Sequence, residues 1–246
     1  MPTALLTDIH ANREAFDACV EHARRQGATR FVFLGDLVGY GADPGYVVEQ
    51  VAEHVARGAI AILGNPAAAI ADPDVGMNAY AQAAIDWTRG VLDATQKAFL
   101  AGLPMQVEDG DCLYVHSEAS QPAQWHYVQN AGVAERSLNA TQKHVTFCGH
   151  VHRPQLYHMA PGKPPVCFIP SAGVGIPLSK SRRWLAVLGS VGQPRDDIPS
   201  ASYAIFDGSR ALLSFHRAPY DIEKAANKIK QAGLPAILSA RLYIGR

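Results

Sequence analysis

The sequence predicts an α/β protein whose strands form two sheets. In the first hundred residues, continuous apolar runs alternate with stretches of helical periodicity. Continuous apolar runs are typical of parallel strands that are buried on both faces. Beyond residue 110 the runs lie closer together, with Pro and Gly between them, so we expect a second sheet there. The chain has 246 residues, of which 48% are apolar, and we assign residues 1–246 to one domain.

The first hundred residues predict a βαβαβ order that continues into two helices. Gly27 ends the first helix, on which Ala15, Cys19 and Val20 share one apolar face. Pro44 suits the first turn of the second helix. The predicted strands are residues 3–7, 30–34 and 59–63, and the predicted helices are residues 12–26, 44–57, 78–90 and 93–101 with Asp93 as N-cap. Ligands of such a parallel sheet bind at the carboxyl ends of its strands.

The rest of the chain predicts mostly strands. They are residues 112–116, 144–148, 155–158, 166–169, 184–188, 202–206 and 211–217. Residues 221–232 have helical periodicity and predict a closing helix, whereas residues 233–246 fit no single element.

Composition restricts the function classes. The formal net charge is zero, so no basic field attracts nucleic acid or anionic lipid, and we expect neither as a partner. The chain enters a strand at once, without a signal-peptide pattern, and contains no apolar run of the ~18 residues that a membrane helix needs. We therefore expect a cytoplasmic protein, in which the cysteines are buried, reduced thiols. The oligomeric state stays open.

Polar motifs follow the predicted strands at their carboxyl ends. They are Asp8-Ile9-His10, Gly35-Asp36, Gly64-Asn65, His116 and Gly149-His150-Val151-His152. Imidazole and carboxylate ligands together suit Mn, Fe, Zn, Co or Ni better than Ca or Mg alone. Two divalent ions close together need a bridging group, which a carboxylate provides. The motifs therefore predict a site for two divalent transition metals, for which we favour manganese.

In this order, these motifs resemble the calcineurin-like metallophosphoesterases, whose pattern is D-x-H, G-D, G-N-H-D/E, a lone H and G-H-x-H. The resemblance covers roughly residues 3–215. It is strongest to small bacterial members, some of them described as serine/threonine protein phosphatases, through residues 35–44 and 189–195. It implies a four-layer α/β/β/α sandwich of two mixed sheets flanked by helices.

The resemblance also implies an activity and a role for each motif. The chain would be a dinuclear phosphoesterase that hydrolyses phosphomonoesters or phosphodiesters with a metal-bridging hydroxide. Its substrate would be a phosphorylated small molecule, a nucleotide or a phosphoprotein. The implied ligands are Asp8, His10 and His152 for one metal, Asn65, His116 and His150 for the other, and Asp36 as the bridge. Asp36, Asn65 and His150 would stand closest to catalysis.

Two further residues could contact the substrate phosphate. Arg195 suits bidentate phosphate binding, and Tyr40 follows the Gly35-Asp36 motif. The alternative for both is a structural role in a loop.

The chain departs from the family pattern after Asn65. Pro66 and Ala67 stand where the family has His and Asp or Glu. The family His would assist the leaving oxygen, a role that contributes roughly 10²–10⁴ in rate. We therefore expect a slow enzyme, in which His126 could substitute for the missing group. Pro66 should also bias Asn65 toward an extended backbone.

The same departure supports an alternative function. The protein could hold metal without catalysis and bind phosphorylated ligands or a partner. The residues leave open whether Pro66 and Ala67 are a natural loss or an alteration.

Overall fold

A computed structural model describes residues 1–72 and 75–246 of the chain. The strands are β1 (Pro2–Leu6), β2 (Arg30–Phe33), β3 (Ile60–Ala61), β4 (Gln106–Asp109), β5 (Cys112–Val115), β6 (Val145–Cys148), β7 (Gln155–Met159), β8 (Val166–Phe168), β9 (Gly175–Pro177), β10 (Arg183–Val187), β11 (Ala201–Asp207) and β12 (Leu212–Ala218). The helices are α1 (Arg13–Arg25), α2 (Pro44–Ala56), α3 (Asn65–Ala71), α4 (Ala79–Val91), α5 (Ala94–Ala101), α6 (Ala131–Asn139), α7 (Ile222–Gln231) and α8 (Ala236–Ala240). Short 3₁₀ turns lie at Pro122–Gln124 and Arg241–Tyr243.

The strands of the described residues form two mixed sheets, as expected. The first has the order β3-β2-β1-β11-β12-β9, and the second has the order β4-β5-β6-β10-β7-β8. In the first sheet β1, β2 and β3 are parallel, and in the second sheet β5, β6 and β10 are parallel. The remaining strand pairs are antiparallel. Neighbouring parallel strands therefore end at a common edge in each sheet.

The two sheets pack face to face and carry helices on their outer faces. Leu5 and Phe206 of the first sheet join Phe147 and Trp184 of the second in one buried cluster between the sheets. A second cluster packs α1 and α2 against the outer face of the first sheet, and a third packs α6 against the second sheet. The architecture confirms the expected α/β fold with layered sheets and helices.

Local sequence rules explain the predicted helices. The apolar face of α1 is buried, and the chain turns at Gly27 with a φ of 85° that glycine adopts without cost. Pro44 lies in the first turn of α2. Asp93 accepts a hydrogen bond from the backbone N–H of Gln96 and forms a capping box with it.

Several elements were not predicted. They are β4, β9, α3, α6 and α8. β4 and β9 have polar or Gly- and Pro-containing sequences, and packing on neighbouring strands decides their conformation. The expectation of buried cysteines holds for Cys19, Cys112 and Cys148 but is wrong for Cys167. Cys167 lies on β8 at the edge of its sheet, where no further strand covers it.

The C-terminal segment forms a small cluster of its own. Ala225 and Ile229 of α7 pack with Leu238 of α8, with Leu242, and with Ala84 of α4. Tyr40 and Ala42 lie against this cluster from the loop after β2. Residues 233–246, which fit no single element in the sequence, therefore pack against one side of the loop after β2. Within the described residues, every helix is too short or too polar to cross a membrane.

Candidate metal centre

The loops after five strands converge where the two sheets meet. The backbone N–H groups of Asp8 and His10 donate to the carbonyls of Gly35 and Asp36, which joins the loops after β1 and β2. The N–H of Gly149 donates to the carbonyl of His116 and joins the loops after β5 and β6. Hydrogen bonds thus bring together motifs that are far apart in the sequence.

The first ligand group consists of Asp8, His10, Asp36 and His152, whose donor atoms lie within 4.8 Å of one another. The Nε2 atoms of His10 and His152 are 3.1 Å apart. His152 Nε2 is 3.2 Å from Asp8 Oδ1, and His10 Nε2 is 3.6 Å from Asp36 Oδ2. The residues of this group are at most 2% exposed. Such a compact set of nitrogen and carboxylate donors suits a transition metal.

The second ligand group contains Asp36, His116 and His150. His116 Nε2 lies 3.0 Å from Asp36 Oδ1 and 3.2 Å from His150 Nδ1. The Asp36 carboxylate therefore presents Oδ1 to this group and Oδ2 to His10 of the first group. One carboxylate shared by two donor groups is the arrangement that a bridging ligand requires.

Each imidazole is oriented by a backbone carbonyl behind it. His10 Nδ1 contacts the carbonyl of Val38, and His116 Nδ1 contacts that of Leu34. His152 Nδ1 contacts the carbonyl of Gln193, whereas His150 uses Nε2 to contact that of Trp125. Because a carbonyl only accepts, the contacting nitrogen carries the proton, and the lone pair of the other nitrogen points into the centre. This outer support is typical of histidines that bind metals.

One oxygen atom of the centre lacks a hydrogen-bond donor, and a second has only an imidazole beside it. Asn65 Oδ1 is buried and without a hydrogen-bond partner, and Asp36 Oδ1 lies 3.0 Å from His116 Nε2. Asn65 donates through Nδ2 to Met77 Sδ at 3.5 Å, which leaves its carbonyl oxygen as the free acceptor. Buried acceptors without a donor are costly. A cation would complete them, so the donor set fits divalent metals.

The ionisation of His10 and His150 agrees with this interpretation, whereas Asp36 favours the protonated form of His116. Burial, together with the charge of His116, lowers the pKa of His150 to about 3. Burial and His152 lower the pKa of His10. Burial alone would lower the pKa of His116, but the Asp36 carboxylate raises it to about 9. His10 and His150 are thus neutral at neutral pH, the form that binds metal.

The carboxylates differ from each other. Burial raises the pKa of Asp36. For Asp8 burial acts in the same direction, but the charge and hydrogen bond of His152 hold the pKa well below its usual range. The carboxylate of Asp8 also accepts hydrogen bonds from the backbone N–H of His150 and from Thr7 Oγ1. Asp8 is therefore a permanently charged member of the first group.

The backbone of the centre is strained and closely packed. The φ angles of five ligand residues lie between 49° and 67°, in the left-handed region that residues other than glycine rarely adopt. These residues are Asp8, His10, Asp36, His150 and His152. Such strain is concentrated at functional sites.

The motif glycines have a steric role in this packing. A Cβ atom at Gly64 would lie 2.2 Å from Asp36 N, and one at Gly149 would lie 2.0 Å from Thr7 Oγ1. Glycine at these positions lets the loops approach each other.

Pro66 and Ala67 form the first turn of α3 rather than an ordinary loop. Gly64 is the N-cap, and Pro66 lies where its missing N–H costs no hydrogen bond. Asn65 is the first residue of this helix, so the expected extended backbone is wrong: the helix start outweighs the preference of a residue before proline. Ala67 is 1% exposed and belongs to the apolar core. Neither residue brings an acid or a base to the centre.

Aromatic rings cover the ligand groups. Tyr40 packs against His10 with ring centroids 4.5 Å apart, and Tyr127 stacks on His150 at 4.0 Å. The guanidinium of Arg195 lies 5.9 Å from the centre of the Tyr40 ring. Burial raises the pKa of both tyrosines, and the charge of Arg195 opposes this rise in each. Arg195 and Tyr40 thus lie at the rim of the centre.

The residue that could substitute for the missing family His, His126, lies away from both ligand groups. His126 is half-exposed, and its Nδ1 lies 3.7 Å from Glu118 Oε1. It joins neither ligand group.

Three residues near the centre were not singled out by the sequence. Tyr127 covers His150, Trp125 supports it, and Gln193 supports His152. Trp125 and Gln193 act through backbone carbonyls, for which the side chain gives no signal. Gln193 lies in the 189–195 stretch that carries part of the family resemblance, and this was the available signal.

Comparisons with known proteins agree with this geometry. The sequence profile of the calcineurin-like phosphoesterase superfamily domain matches residues 1–211. An uncharacterized protein of Methanocaldococcus jannaschii is 32% identical over 99% of this chain and 98% of its own length.

Two solved structures cover the whole chain. A crystal structure of a metallophosphoesterase from Sphaerobacter thermophilus is 33% identical, with a TM-score of 0.87 over 100% of this chain and 99% of that one. A hypothetical protein from Pyrococcus horikoshii is 19% identical and shares the fold, with a TM-score of 0.78 over 100% of this chain and 98% of its own. The chain belongs to the calcineurin-like phosphoesterase superfamily.

Proposed function

We propose that this member of the calcineurin-like phosphoesterase superfamily is a hydrolase of phosphoesters that works with two divalent metal ions. The main support is the position of Asp36 between the two ligand groups. Its Oδ1 lies 3.0 Å from His116 Nε2, and its Oδ2 lies 3.6 Å from His10 Nε2. The first ion would be held by Asp8, His10 and His152, and the second by Asn65, His116 and His150. The unpaired Oδ1 of Asn65 supports its inclusion. We favour Mn²⁺, with Fe, Zn, Ni or Co as alternatives that the same donors accept.

The protein's own groups divide the work at this centre. When bound, two divalent ions supply Lewis acidity toward a phosphoryl oxygen and lower the pKa of a water molecule to near neutrality. The carbonyls behind the imidazoles keep the donor atoms in place, and the buried setting strengthens every charge interaction. Arg195 would hold a phosphoryl oxygen at the rim, and Tyr40 would limit access of water to His10.

The leaving group receives no help from residues 66 and 67. Both are apolar and buried, so the developing charge on the leaving oxygen has no proton donor at this position. We therefore expect slow turnover, with esters of acidic alcohols or phenols hydrolysed fastest. The substrate would be a phosphorylated small molecule, a nucleotide or a phosphoprotein.

The experiment is hydrolysis of p-nitrophenyl phosphate and bis(p-nitrophenyl) phosphate by Mn²⁺-loaded protein, with metal content measured by elemental analysis. Asp36→Asn serves as the matched inactive control because it keeps the shape of the side chain. We expect nitrophenol release above this control and two ions per chain. Two bound ions without release above the control would refute a phosphoesterase.

Such a result would favour a second candidate function. A metal-containing protein without catalysis could bind phosphorylated ligands or a partner, and the apolar first turn of α3 is the observation in its favour. Binding of phenyl phosphate without hydrolysis would support it.

A further inference from the structure

The C-terminal segment brings a second arginine to the rim of the metal centre. Arg241 lies in the 3₁₀ turn Arg241–Tyr243, beyond the residues that the family profile matches. Its Nη1 donates to Gln193 Oε1 at 3.3 Å, and Arg195 Nη2 donates to the same oxygen at 2.8 Å. A single amide oxygen thus holds two guanidinium groups side by side.

This pair has positive charge without a compensating carboxylate. Among the described residues, neither Arg195 nor Arg241 forms an ion pair. The nearby carboxylates are engaged elsewhere: Asp196 pairs with Arg217, and Asp197 pairs with Arg246. Adjacent like charges in a partly buried setting repel each other, and a bound anion would offset this repulsion.

The same spot has an excess of hydrogen-bond donors. Arg195 Nε, Arg241 Nε and Gln193 Nε2 are buried and without an acceptor. The two arginines fix the orientation of the Gln193 amide, because a reversed amide would point its N–H groups at theirs. Buried donors without acceptors are rare in proteins. An oxyanion would supply the acceptors that this spot lacks.

The donor-rich spot is directly connected to the metal centre. The carbonyl of Gln193 accepts the proton of His152 Nδ1, and Arg195 lies over Tyr40, which packs on His10. A small cavity is lined by His10, Tyr40 and Gln193 on one side and by Leu238 and Leu242 of the C-terminal segment on the other. The arginine pair therefore lies beside the residues that cover His10 and support His152.

The C-terminal segment is fastened in this position. Lys228 of α7 lies 2.7 Å from Glu14 Oε1 and 2.8 Å from Asp43 Oδ2, and Lys224 lies 3.4 Å from Glu14 Oε1. These ion pairs connect α7 to α1 and to the residue before α2. Arg241 is thus presented by a segment with its own anchor.

We propose that Arg241, with Arg195 and Gln193, forms a binding site for a second phosphate group of the substrate. This inference rests on the proposed function and names its substrate class: phosphoesters that carry a second, non-reacting phosphate. The first phosphate would lie at the metals and the second at the arginine pair. Simple monoesters such as phenyl phosphate would leave the pair without its anion.

The experiment compares alkanediol bisphosphates of increasing chain length with alkyl monophosphates of equal length, using Mn²⁺-loaded protein and phosphate release. We expect a higher kcat/KM for bisphosphates, with a maximum at one chain length. Arg241→Gln should lower the ratio of the two kcat/KM values about tenfold or more, the usual effect of losing a hydrogen bond to a charged group. Arg246→Gln is the matched control, because it removes another guanidinium of the same C-terminal segment. That guanidinium pairs with Asp197.

An unchanged ratio in Arg241→Gln, or an equal fall in Arg246→Gln, would overturn the inference. If the wild-type protein hydrolyses no phosphoester, the proposed function fails separately, and calorimetric binding of the bisphosphates decides the question. Binding that is weakened by Arg241→Gln but not by Arg246→Gln would still establish the site, and equal binding would exclude it. Arg241→Lys replaces Arg241→Gln if the latter does not fold, and it should weaken the preference less.

Discussion

The two ligand groups share Asp36 but are supported differently. In the first group Asp8, His10 and His152 lie on loops that are joined by backbone hydrogen bonds and are at most 2% exposed. The second group relies on Asn65, a partly exposed residue that begins a seven-residue helix with two apolar residues after it. The first group is thus held in place from several directions, whereas the second depends on one short helix for its Asn65 ligand.

The largest effect is expected from the residue that both groups share. Asp36→Asn should lower phosphoesterase activity by about 10³-fold or more, because it removes the charge that holds both ions. The measurement is kcat/KM on bis(p-nitrophenyl) phosphate together with metal content. Asp17→Asn, an exposed carboxylate on α1 that pairs with Arg13, is the control. Normal metal content and activity in Asp36→Asn would show that the groups do not act as one centre.

A gain of function tests the weakness of the second group. Pro66→His/Ala67→Asp should raise kcat by about 10²-fold on p-nitrophenyl phosphate, the contribution of a positioned acid. Ala67→Asp alone should instead destabilise the protein by about 1–3 kcal/mol, because Ala67 is 1% exposed in the core. Kinetics and thermal unfolding of both variants provide the measurement. If the double variant binds both metals and kcat does not rise, residues 66 and 67 are not a catalytic gap.

Metal content separates the two groups. Asn65→Ala should lower the binding affinity for one of the two ions by at least about tenfold. Even the loss of a residue that only orients a metal ligand has an effect of this size. The first group should keep its ion, because none of its members is changed. Calorimetric titration with Mn²⁺ would measure both affinities. His152→Ala is the matched variant of the first group, and the same affinity profile in both variants would refute two separable sites.

The smallest effect is expected away from both groups. Lys228→Met should lower the free energy of unfolding by about 1 kcal/mol and Tm by about 2–4 °C, because Lys228 is 25% exposed and pairs with Glu14 and Asp43. Thermal unfolding measured with and without Mn²⁺ checks this expectation. Lys224→Met should change Tm less, because the Lys224 side chain is 60% exposed. A larger effect from Lys224 would show that burial does not set the strength of this anchor.

Much of the fold could be predicted because it depends on local patterns. The apolar face of α1, Pro44 at the start of α2 and the Asp93 cap are signals within single segments, and each element formed as expected. The helix at Asn65–Ala71 could not be predicted, because its seven residues are too few to show a helical period and its stability comes from burial of Ala67 and Ile70 in the core.

The sequence by itself determined the family, the sheet class and the candidate ligand residues, because motif order and strand periodicity are properties of the chain. Only the tertiary structure decided how those atoms meet. The left-handed backbone of Asp8 and His10, the carbonyls behind each imidazole and the approach of Arg241 to Arg195 all depend on contacts between distant segments. Such contacts arise from packing, which leaves no pattern at any single position of the sequence.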